Sequence, residues 1–329
     1  MSTNSNRLPI SVVVPVLNEE RNLRECLASV AWADEVFVVD SHSTDDTGRI
    51  ARERGAHLVQ FDYRPGGPRK KNWSLENLPL KNEWVLLLDA DERITPQLEE
   101  EIRRQFAAEP NCSGYYLNRK HVFLGRWLRY GGNYPSWNLR LLRRGAGRYE
   151  RLATEDLQSA GDVEVHEHIV LTGPAGYLRE PMLHLDYKDL HAFIDRHNRY
   201  STWDARMRAH LLSGGTPSQA IPARLFGAAV ERKRFLKRIW VRLPFRPLLR
   251  FLYMYVLRLG FLDGRAGFIY SAFKAVQEFH ISCKMYEDRA LARGREGQQN
   301  RTLLSTPPPT LDGDSLFHNR PAAKIPNSI

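Results

Sequence analysis

Two acidic residues separated by one alanine follow an apolar segment, in the order Leu88-Asp89-Ala90-Asp91-Glu92. If the segment continues as a strand, residues two apart point to the same side, so both aspartates face one site. Carboxylates this close repel each other unless a cation neutralises them, and Mg²⁺ or Mn²⁺ shared with substrate phosphates does so. The pattern predicts a metal and phosphate site at Asp89 and Asp91, with a polar surface turn as the alternative.

A second group of candidate residues is basic. Arg69, Lys70 and Lys71 follow the turn Gly66–Pro68, where a helix is predicted to begin. Cations and unpaired amide donors at the start of a helix attract anions such as phosphate. We expect Lys71 to take part in such a site, whereas a solvated charge run is the better interpretation for Arg69.

Polar residues also follow the first two apolar segments. The run Pro15–Glu20 contains no glycine, which argues against the Gly-x-Gly-x-x-Gly fingerprint of a dinucleotide-binding site. Asp40 ends the second segment, and a carboxylate there can accept hydrogen bonds from ribose hydroxyls or a base edge. Asp45 either contributes to the same site or caps the next helix.

The strand-like segment Val165–Ile169 places Glu167 between His166 and His168. Regular alternation would turn both histidines to one face and Glu167 to the other. His184 follows some way along the chain. For each histidine, a structural role is as good an interpretation as a functional one.

The spacing of apolar residues predicts the elements that must hold these side chains. Strands are predicted at Ile10–Val16, Glu35–Asp40 and Trp84–Leu88, with helices between them. This alternation is typical of an α/β fold with a mostly parallel sheet and helices on both faces, and ligands bind at the carboxyl ends of its strands. Residues Gly114–Asp186 predict a mixed extension of the sheet with loops that contribute to the site.

The net charge of +10 is concentrated in one region, because residues 232–258 contain nine basic residues and no acid. This local excess predicts an anionic surface as a partner, and the near-neutral remainder argues against a nucleic-acid binder. Two short amphipathic helices meeting at Pro244 would dock on the cytoplasmic face of an anionic membrane. The alternative is a helical cap that packs its apolar side on the preceding domain and leaves its arginines in solvent.

These observations predict three parts: an α/β domain over 1–220, a basic helical region over 221–290, and a disordered tail over 291–329. The three cysteines form no metal or disulfide motif. The sequence also shows no signal peptide and no apolar run long enough to span a membrane. We therefore expect a cytoplasmic protein that is peripheral to the membrane.

The chain resembles glycosyltransferase family 2, which has the GT-A fold, in six runs that occur in the family's order. They are SVVVPVLNEERNL, VFVVDSHSTDDT, KKN, WVLLLDADER, RLLRR and VHEHI. The closest likeness is to the lipopolysaccharide and lipooligosaccharide core β-glucosyltransferases. It covers about residues 9–285, including the run GFLDG at Gly260–Gly264.

The resemblance implies an inverting transfer of a hexose from a nucleotide-sugar donor, UDP-glucose, to a hydroxyl of a glycolipid core acceptor, with Mg²⁺ or Mn²⁺ as the cofactor. The implied residue roles are these: Pro15, Asn18 and Glu19 line the nucleotide pocket, Asp40 contacts the base, Lys71 lies near the base and diphosphate, Asp89 approaches the ribose, Asp91 ligates the metal, and Glu167 is the general base. A bulged strand would make His166 or His168 a further metal ligand, and Glu155 and Asp156 are rival candidates for the base.

The sequence departs from the family at two positions, since His42 and Asp46 stand where the family usually has glycine. The departures predict a different loop shape or donor choice. Two other functions are open. A polyprenyl-phosphate glycosyltransferase of the same fold would need no hydroxyl base, and a non-catalytic scaffold would only bind a glycolipid or a membrane.

Overall fold

A computed structural model describes residues 7–64, 67–150, 168–185, 189–212, 224–226 and 229–305. The chain divides into two compact units, Met1–Met285 and Tyr286–Ile329. The sheet and the site described below belong to the first unit.

The strands are β1 (Leu8–Val16), β2 (Ala33–Asp40), β3 (His57–Gln60), β4 (Trp84–Leu87), β5 (Glu92–Arg93), β6 (Gly114–Phe123), β7 (Arg126–Trp127), β8 (Trp137–Arg143), β9 (Gly147–Tyr149), β10 (Ile169–Leu171) and β11 (Ala175–Leu185). The helices are α1 (Glu20–Ala28), α2 (Thr47–Glu53), α3 (Lys70–Asn77), α4 (Pro96–Ala107), α5 (Leu190–Leu212), α6 (Ala229–Trp240), α7 (Arg246–Phe251) and α8 (Gly264–Ser305). A π-helical segment, Leu252–Leu257, continues α7, and a 3₁₀ turn, Gly260–Asp263, precedes α8.

In the described part of the chain, nine strands form one mixed sheet in the order β3-β2-β1-β4-β8-β6-β11-β5, with β7 paired to β6. The strands β1 to β4 are mutually parallel, β8 runs antiparallel to both β4 and β6, and β11 is parallel to β6. The predicted α/β fold with a mixed extension of the sheet is confirmed.

The first strands are apolar on both sides because both faces of the sheet are covered. Along β1, Val12 and Val14 pack with Leu23 of α1 in one core. Val13 points to the opposite face and packs with Leu87 and other residues in a second core. A strand buried on both faces is a continuous apolar run, which is why the sequence predicts it.

The topology brings the ends of three strands to one edge of the sheet. Val16 at the end of β1 is paired with Asp40 at the end of β2. The amide of Leu88, just after β4, donates to the carbonyl of Val13 at 3.0 Å. The polar residues that follow each strand are therefore neighbours.

The helical region differs from the sequence prediction at its end. The helices α6 and α7 are separate, as Pro244 predicts, and Pro247 lies in the first turn of α7, where an amide hydrogen has no helical partner. The sequence predicts a disordered tail over 291–329, whereas α8 continues to Ser305. Residues 306–329 lie outside the described residues. The sequence has no proline between Pro247 and Pro307, so no proline ends α8 before Ser305. Among the residues described, no helix is both long and apolar enough to cross a bilayer.

Candidate active site

A cavity of about 790 Å³ lies at the edge of the sheet, beyond the ends of β1 and β4. One side is formed by the turn after β1, the start of α3 and the turn after β4. The other side is formed by β6, β11, α5 and α8. Of the residues singled out from the sequence, the cavity lining includes Pro15, Glu19, Lys71, Asp89 and Asp91.

The two aspartates occupy a turn rather than the strand that the sequence suggests. Strand β4 ends at Leu87, and the amide of Glu92, which begins β5, donates to the carbonyl of Asp89 at 2.9 Å. Both carboxylates line the cavity, and each has its own partner: Lys71 and Arg140 for Asp89, and the His184 imidazole for Asp91. The repulsion expected between them is therefore offset by two different partners.

Asp89 is held between two cations. Its Oδ1 lies 2.8 Å from Lys71 Nζ, and its Oδ2 accepts a hydrogen bond from Arg140 Nη2. Burial by itself would raise the pKa of Asp89, but Arg140 and Lys71 outweigh it and hold that pKa well below its usual range. Asp89 is thus ionised. Its partner Lys71 also lines the cavity.

Asp91 is paired with an imidazole. Its Oδ2 lies 3.0 Å from His184 Nε2. Burial again opposes ionisation, but the interaction with His184 lowers the pKa of Asp91 to about 2. One carboxylate and one imidazole therefore point together into the cavity, a combination that suits a divalent transition metal.

His184 is oriented by a second histidine. His121 on β6 is aligned with His184 on β11, and their Nδ1 atoms lie 2.7 Å apart. Burial, followed by the charge of His184, lowers the pKa of His121 to about 2, so His121 is neutral. One Nδ1 donates a proton to the other, which fixes the plane of the His184 ring.

Sequence reasoning did not identify Arg140 or Glu92. Arg140 on β8 is 5% exposed and Glu92 is 0% exposed, and Arg140 Nη2 lies 2.7 Å from Glu92 Oε1. Buried charges are expensive unless they are paired, so this pair fixes where Arg140 meets Asp89. Their contact depends on the antiparallel pairing of β8 with β4, which no local pattern reveals.

The start of α3 is attached to its surroundings by two buried contacts. Lys70 Nζ donates to the carbonyl of Val16 at 2.7 Å, at the end of β1. Asn72 exchanges two hydrogen bonds with the backbone of Tyr149, at 2.8 Å and 3.0 Å. Lys71, between them, is directed to the cavity and lies 5.4 Å from the centre of the Tyr149 ring.

Asp40 and Asn18 hold the loop beside the cavity. Asp40 is buried, and its carboxylate accepts hydrogen bonds from the Ser43 amide at 3.0 Å and from Gln60 Nε2 at 3.2 Å. Asn18 Oδ1 accepts a hydrogen bond from the Thr44 amide at 2.8 Å. Asp40 thus bonds to the loop after β2 and to the end of β3, and Asn18 bonds to the same loop, whereas Glu19 lines the cavity itself.

The two departures from the family's glycines have different consequences. His42 has φ 57°, a left-handed conformation that glycine adopts more readily, so the loop keeps this backbone with a histidine. Asp46 has φ −72° and immediately precedes α2, where no special conformation is needed. Of the two positions, only His42 has the left-handed conformation that favours glycine.

Glu167, the candidate base, lies outside the described residues, as do His166, Glu155 and Asp156. His168 is described, is exposed, and precedes β10. Its amide donates to Glu150 Oε1 at 3.0 Å. Of the histidines that the structure describes, His184 and not His168 is the one beside Asp91.

Helices α5 and α8 supply a wall of the cavity that sequence reasoning missed. Phe193, Arg196, His197 and Tyr200 lie on one face of α5, at the spacing i, i+3, i+4 and i+7, and line the cavity. This spacing is visible in the sequence, where it predicts a helix but no contact with a ligand. Lys274 of α8 lines the same wall.

His197 and Lys274 form a fixed pair. His197 Nδ1 donates to the Phe193 carbonyl at 2.8 Å, which leaves Nε2 to accept from Lys274 Nζ at 3.1 Å. Burial and then the charge of Lys274 lower the pKa of His197 to about 3, so this imidazole is neutral at neutral pH. The charge that this part of the wall presents to a ligand is therefore the ammonium group of Lys274.

Within the described part of the chain, no group of three or more His, Cys, Asp and Glu residues is placed to hold a metal ion. The described residues offer Asp91 and His184 as a pair, which by itself is not a complete metal site.

Comparison with known proteins identifies the family. Residues 11–161 match the model of glycosyl transferase family 2. The lipopolysaccharide core biosynthesis glycosyltransferase LpsC of Rhizobium meliloti is 31% identical over 290 residues, which is 87% of this chain and 94% of LpsC. An uncharacterised glycosyltransferase of Rickettsia typhi is 38% identical over 100 residues, covering 30% of this chain and 33% of that protein.

Solved structures with a similar fold are also glycosyltransferases. The mannosyltransferase PcManGT from Pyrobaculum calidifontis, in complex with GDP-Man and Mn²⁺, has a TM-score of 0.45 and 16% identity, over 86% of this chain and 88% of that chain. Glucosyl-3-phosphoglycerate synthase from Mycobacterium tuberculosis, in complex with Mn²⁺, UDP and glucosyl-3-phosphoglycerate, has a TM-score of 0.38 and 18% identity, over 65% of this chain and 82% of that chain. Because LpsC aligns with nearly the whole chain and the family match covers the strands that form the cavity edge, the chain belongs to glycosyltransferase family 2.

Proposed function

We propose that this enzyme is an inverting, metal-dependent hexosyltransferase that moves glucose from UDP-glucose to a hydroxyl of a glycolipid or lipopolysaccharide core acceptor. The observation that carries the proposal is the meeting of Lys71, Asp89 and Asp91 in one cavity at the ends of β1 and β4. LpsC, which is similar over most of the chain, is a lipopolysaccharide core biosynthesis enzyme.

The donor would bind with its nucleoside at the loops after β1 and β2. Pro15 and Glu19 line this side of the cavity, and Asn18 and Asp40 keep the adjacent loop in shape. Asp89 would approach the ribose, since its carboxylate is ionised and oriented by Lys71 and Arg140. Lys71 would donate to the diphosphate from the start of α3.

Asp91 and His184 fit the divalent cation that the family uses. A carboxylate oxygen, an imidazole nitrogen and phosphate oxygens of the donor form a ligand set suited to Mn²⁺ or Mg²⁺. When bound, the cation would offset the negative charge that develops on the departing diphosphate. The low pKa of Asp91 keeps its carboxylate ionised, and His121 orients His184 for this role.

The transfer itself replaces one bond at the anomeric carbon by another. The acceptor hydroxyl attacks from the face opposite the diphosphate, the bond to the diphosphate oxygen breaks, and UDP leaves with that electron pair. Glu167 would take the proton of the attacking hydroxyl. Lys71 would stabilise the charge on the leaving group.

A donor screen tests this function. Nucleotide release would be measured with UDP-, GDP- and ADP-sugars, each in the presence of a lipid-core extract and Mn²⁺. We expect release that depends on both the extract and UDP-glucose, and its loss in Glu167→Gln with donor binding retained. Release from another donor alone would overturn the choice of UDP-glucose, and near-normal transfer by Glu167→Gln would place the base elsewhere.

A polyprenyl-phosphate acceptor is a second candidate, favoured by one observation. The wall formed by α5 and α8 contributes three cations to the cavity, Arg196, Arg199 and Lys274, and no acid. An acceptor that is itself a phosphate would be attracted there and would need no hydroxyl base. Full activity of Glu167→Ala with a polyprenyl phosphate would select this candidate.

A lipid-linked acceptor places the reaction at a membrane. We propose that the enzyme is peripheral and works at the cytoplasmic face, where nucleotide sugars and lipid-linked acceptors meet. Cell fractionation tests this location: the enzyme should sediment with inner membranes and be released without destroying the bilayer.

A further inference from the structure

The helix that runs from Arg246 to Leu257, made of α7 and the π-helical segment, has its apolar residues on the outside. Pairs of exposed residues recur every four positions and so form one face. They are Leu248 and Leu249 (58% and 37% exposed), Leu252 and Tyr253 (42% and 43%), and Val256 and Leu257 (48% and 73%). A helix at the surface of a protein in water normally turns its apolar residues toward the core and its polar residues toward the solvent.

The arginines of this helix point inward. Arg246 Nη2 donates to Ser282 Oγ at 2.9 Å, and Arg250 Nη2 lies 3.7 Å from Glu278 Oε1. Glu278 is buried in α8 and also accepts two hydrogen bonds from Arg208 of α5, at 2.6 Å and 3.0 Å. A cap with solvated arginines and a packed apolar face predicts the opposite arrangement, because in this helix Arg246 and Arg250 approach the buried Glu278 while the apolar residues are exposed.

Neighbouring elements extend the same apolar surface. Phe261 and Phe268 pack on Tyr255 with ring centres 6.2 Å and 5.6 Å away, and both remain more than two fifths exposed. Phe245, at the turn before α7, is 78% exposed in a left-handed conformation. We call this surface the apolar corner, and the exposed apolar residues that form it are Leu243, Phe245, Leu248, Leu249, Leu252, Tyr253, Val256, Leu257, Phe261, Leu262 and Phe268.

The charges around the apolar corner have one sign. Arg238, Arg242, Arg258 and Arg265 are exposed. The only acid between residues 236 and 268 is Asp263, which is buried and accepts hydrogen bonds from the amides of Arg129 and Tyr130. Contiguous exposed apolar surface marks an interaction site, and a cationic rim selects an anionic partner.

We propose that the apolar corner inserts into the interface of a bilayer with anionic headgroups, its apolar side chains at the level of the upper acyl chains and its arginines among the headgroups. This deepens the proposed function by naming the surface that meets the membrane, and it depends on no catalytic step. A second copy of the chain fits less well, because a symmetric contact would bring the arginine rims of both copies together.

Vesicle sedimentation of the full chain tests the proposal. Probes are vesicles of phosphatidylcholine with phosphatidylglycerol, and of phosphatidylcholine alone. The double variant Leu248→Ser/Val256→Ser should bind anionic vesicles at least about tenfold more weakly than the parent, because two apolar side chains are lost from the acyl region. Its matched control is Val170→Ser/Tyr177→Ser, which changes exposed apolar residues of β10 and β11 (41% and 57% exposed) and should bind like the parent.

A second variant separates charge from insertion. Arg238→Gln/Arg242→Gln should lose the preference for anionic over neutral vesicles while keeping the weaker binding to neutral ones. Equal loss in the control pair, or full binding by Leu248→Ser/Val256→Ser, would overturn the proposal. So would a dimer in light scattering that the Leu248→Ser/Val256→Ser change dissociates, since the corner would then be a contact between copies.

UDP binding measured on the same samples reports on the donor site separately, so a failure of the membrane proposal is distinguishable from a failure of the proposed function.

Discussion

Asp89 and Asp91 are two residues apart, yet their surroundings divide the work between them. Asp89 is enclosed by Lys71 and Arg140, so its charge is already balanced by fixed cations. Asp91 is paired with the imidazole of His184, and the charge of Arg196 also acts on it. A divalent cation entering the cavity would therefore gain more from Asp91 than from Asp89.

The first prediction follows from this division. Asp91→Asn should lower metal-dependent nucleotide release by about a hundredfold or more, because the amide cannot replace an anionic ligand. Calorimetric titration with Mn²⁺ in the presence of UDP should show the same loss of affinity. Circular dichroism should remain that of the parent.

Asp46→Asn is the matched control for this prediction. Asp46 is exposed and pairs with Arg49 on α2. This variant should keep both metal affinity and turnover. Unchanged turnover in Asp91→Asn would remove Asp91 from the metal site.

The second prediction concerns Arg140, which contacts both Asp89 and Glu92. Arg140→Met would leave the fully buried Glu92 with less compensation and should lower the free energy of unfolding by about 3–5 kcal/mol. Urea titration measures this value. Arg148→Met, at an exposed position of β9, should change it by no more than about 0.5 kcal/mol. A loss of that small size in Arg140→Met would mean that Arg119, 3.5 Å from Glu92, suffices to compensate the charge.

At the scale of elements, the run GFLDG is explained by packing and not by catalysis. A Cβ on Gly260 would lie 2.7 Å from the Met254 carbonyl oxygen, and one on Gly267 would lie 2.1 Å from the Gly260 carbonyl oxygen. The carboxylate of Asp263 caps two amides of the segment at Arg129 and Tyr130. Gly260 thus allows the 3₁₀ turn to pack against the π-helical segment, and Gly267, three residues after the run, allows the first turns of α8 to pack against the turn.

The third prediction tests this packing. Gly267→Ala should cost about 1–3 kcal/mol of unfolding free energy, because backbone atoms must move to admit the methyl group. Gly48→Ala in α2 is the control, since its Cβ would make only an ordinary contact of 3.5 Å with Leu58. That variant should be neutral or slightly stabilising. Equal stability of both variants in urea titration would show that the turn can shift freely.

The fourth prediction is a pH dependence centred on Glu278, which joins α5, α7 and α8. Burial opposes its ionisation, but Arg208 above all lowers the pKa of Glu278 below its ordinary value of 4.5. A depressed pKa means that the ionised group stabilises the fold above pH 4.5, and that this stabilisation is lost as the pH falls below it.

Glu278→Gln should therefore be less stable than the parent by about 3 kcal/mol at neutral pH. The difference should narrow as the pH is lowered from 4.5. Glu100→Gln, at an exposed position of α4, should follow the parent at every pH. A difference that stays constant with pH would show that Glu278 acts by shape and not by charge.

The sequence predicted the elements whose patterns are local. β1, β2 and β4 are buried on both faces, so their apolar runs identify them, and the aspartates at their ends could be placed at one edge. The roles of Arg140, His121 and His184 could not be assigned, because these residues come close to Asp89 and Asp91 only through pairings of β8, β6 and β11 that are distant in sequence. The inward turn of Arg246 and Arg250 was equally hidden, since its cause, Glu278, lies on another helix.

At the scale of the whole molecule, the apolar corner is a group of apolar residues that lies at the surface and not in the core. Its outer residues contact little protein, so their removal should not weaken the fold. The fifth prediction is that Leu248→Ser/Val256→Ser changes the free energy of unfolding by no more than about 0.5 kcal/mol in urea titration. The same variant should elute earlier from a hydrophobic-interaction column. A large loss of stability would mean that these residues belong to the core.

Helix α8 also connects the two surfaces that matter for the proposed reaction. Phe268 belongs to the apolar corner, whereas Lys274, six residues later, lines the cavity. Six residues of α-helix span about 9 Å, so an acceptor held in a bilayer would need to project only a short distance to reach the donor. The donor would then reach the site by three-dimensional diffusion in solution, and the acceptor by two-dimensional diffusion in the plane of the lipid. Turnover on vesicles should accordingly follow the mole fraction of acceptor in the surface, and diluting the acceptor with inert lipid should slow the enzyme even when its bulk concentration is unchanged.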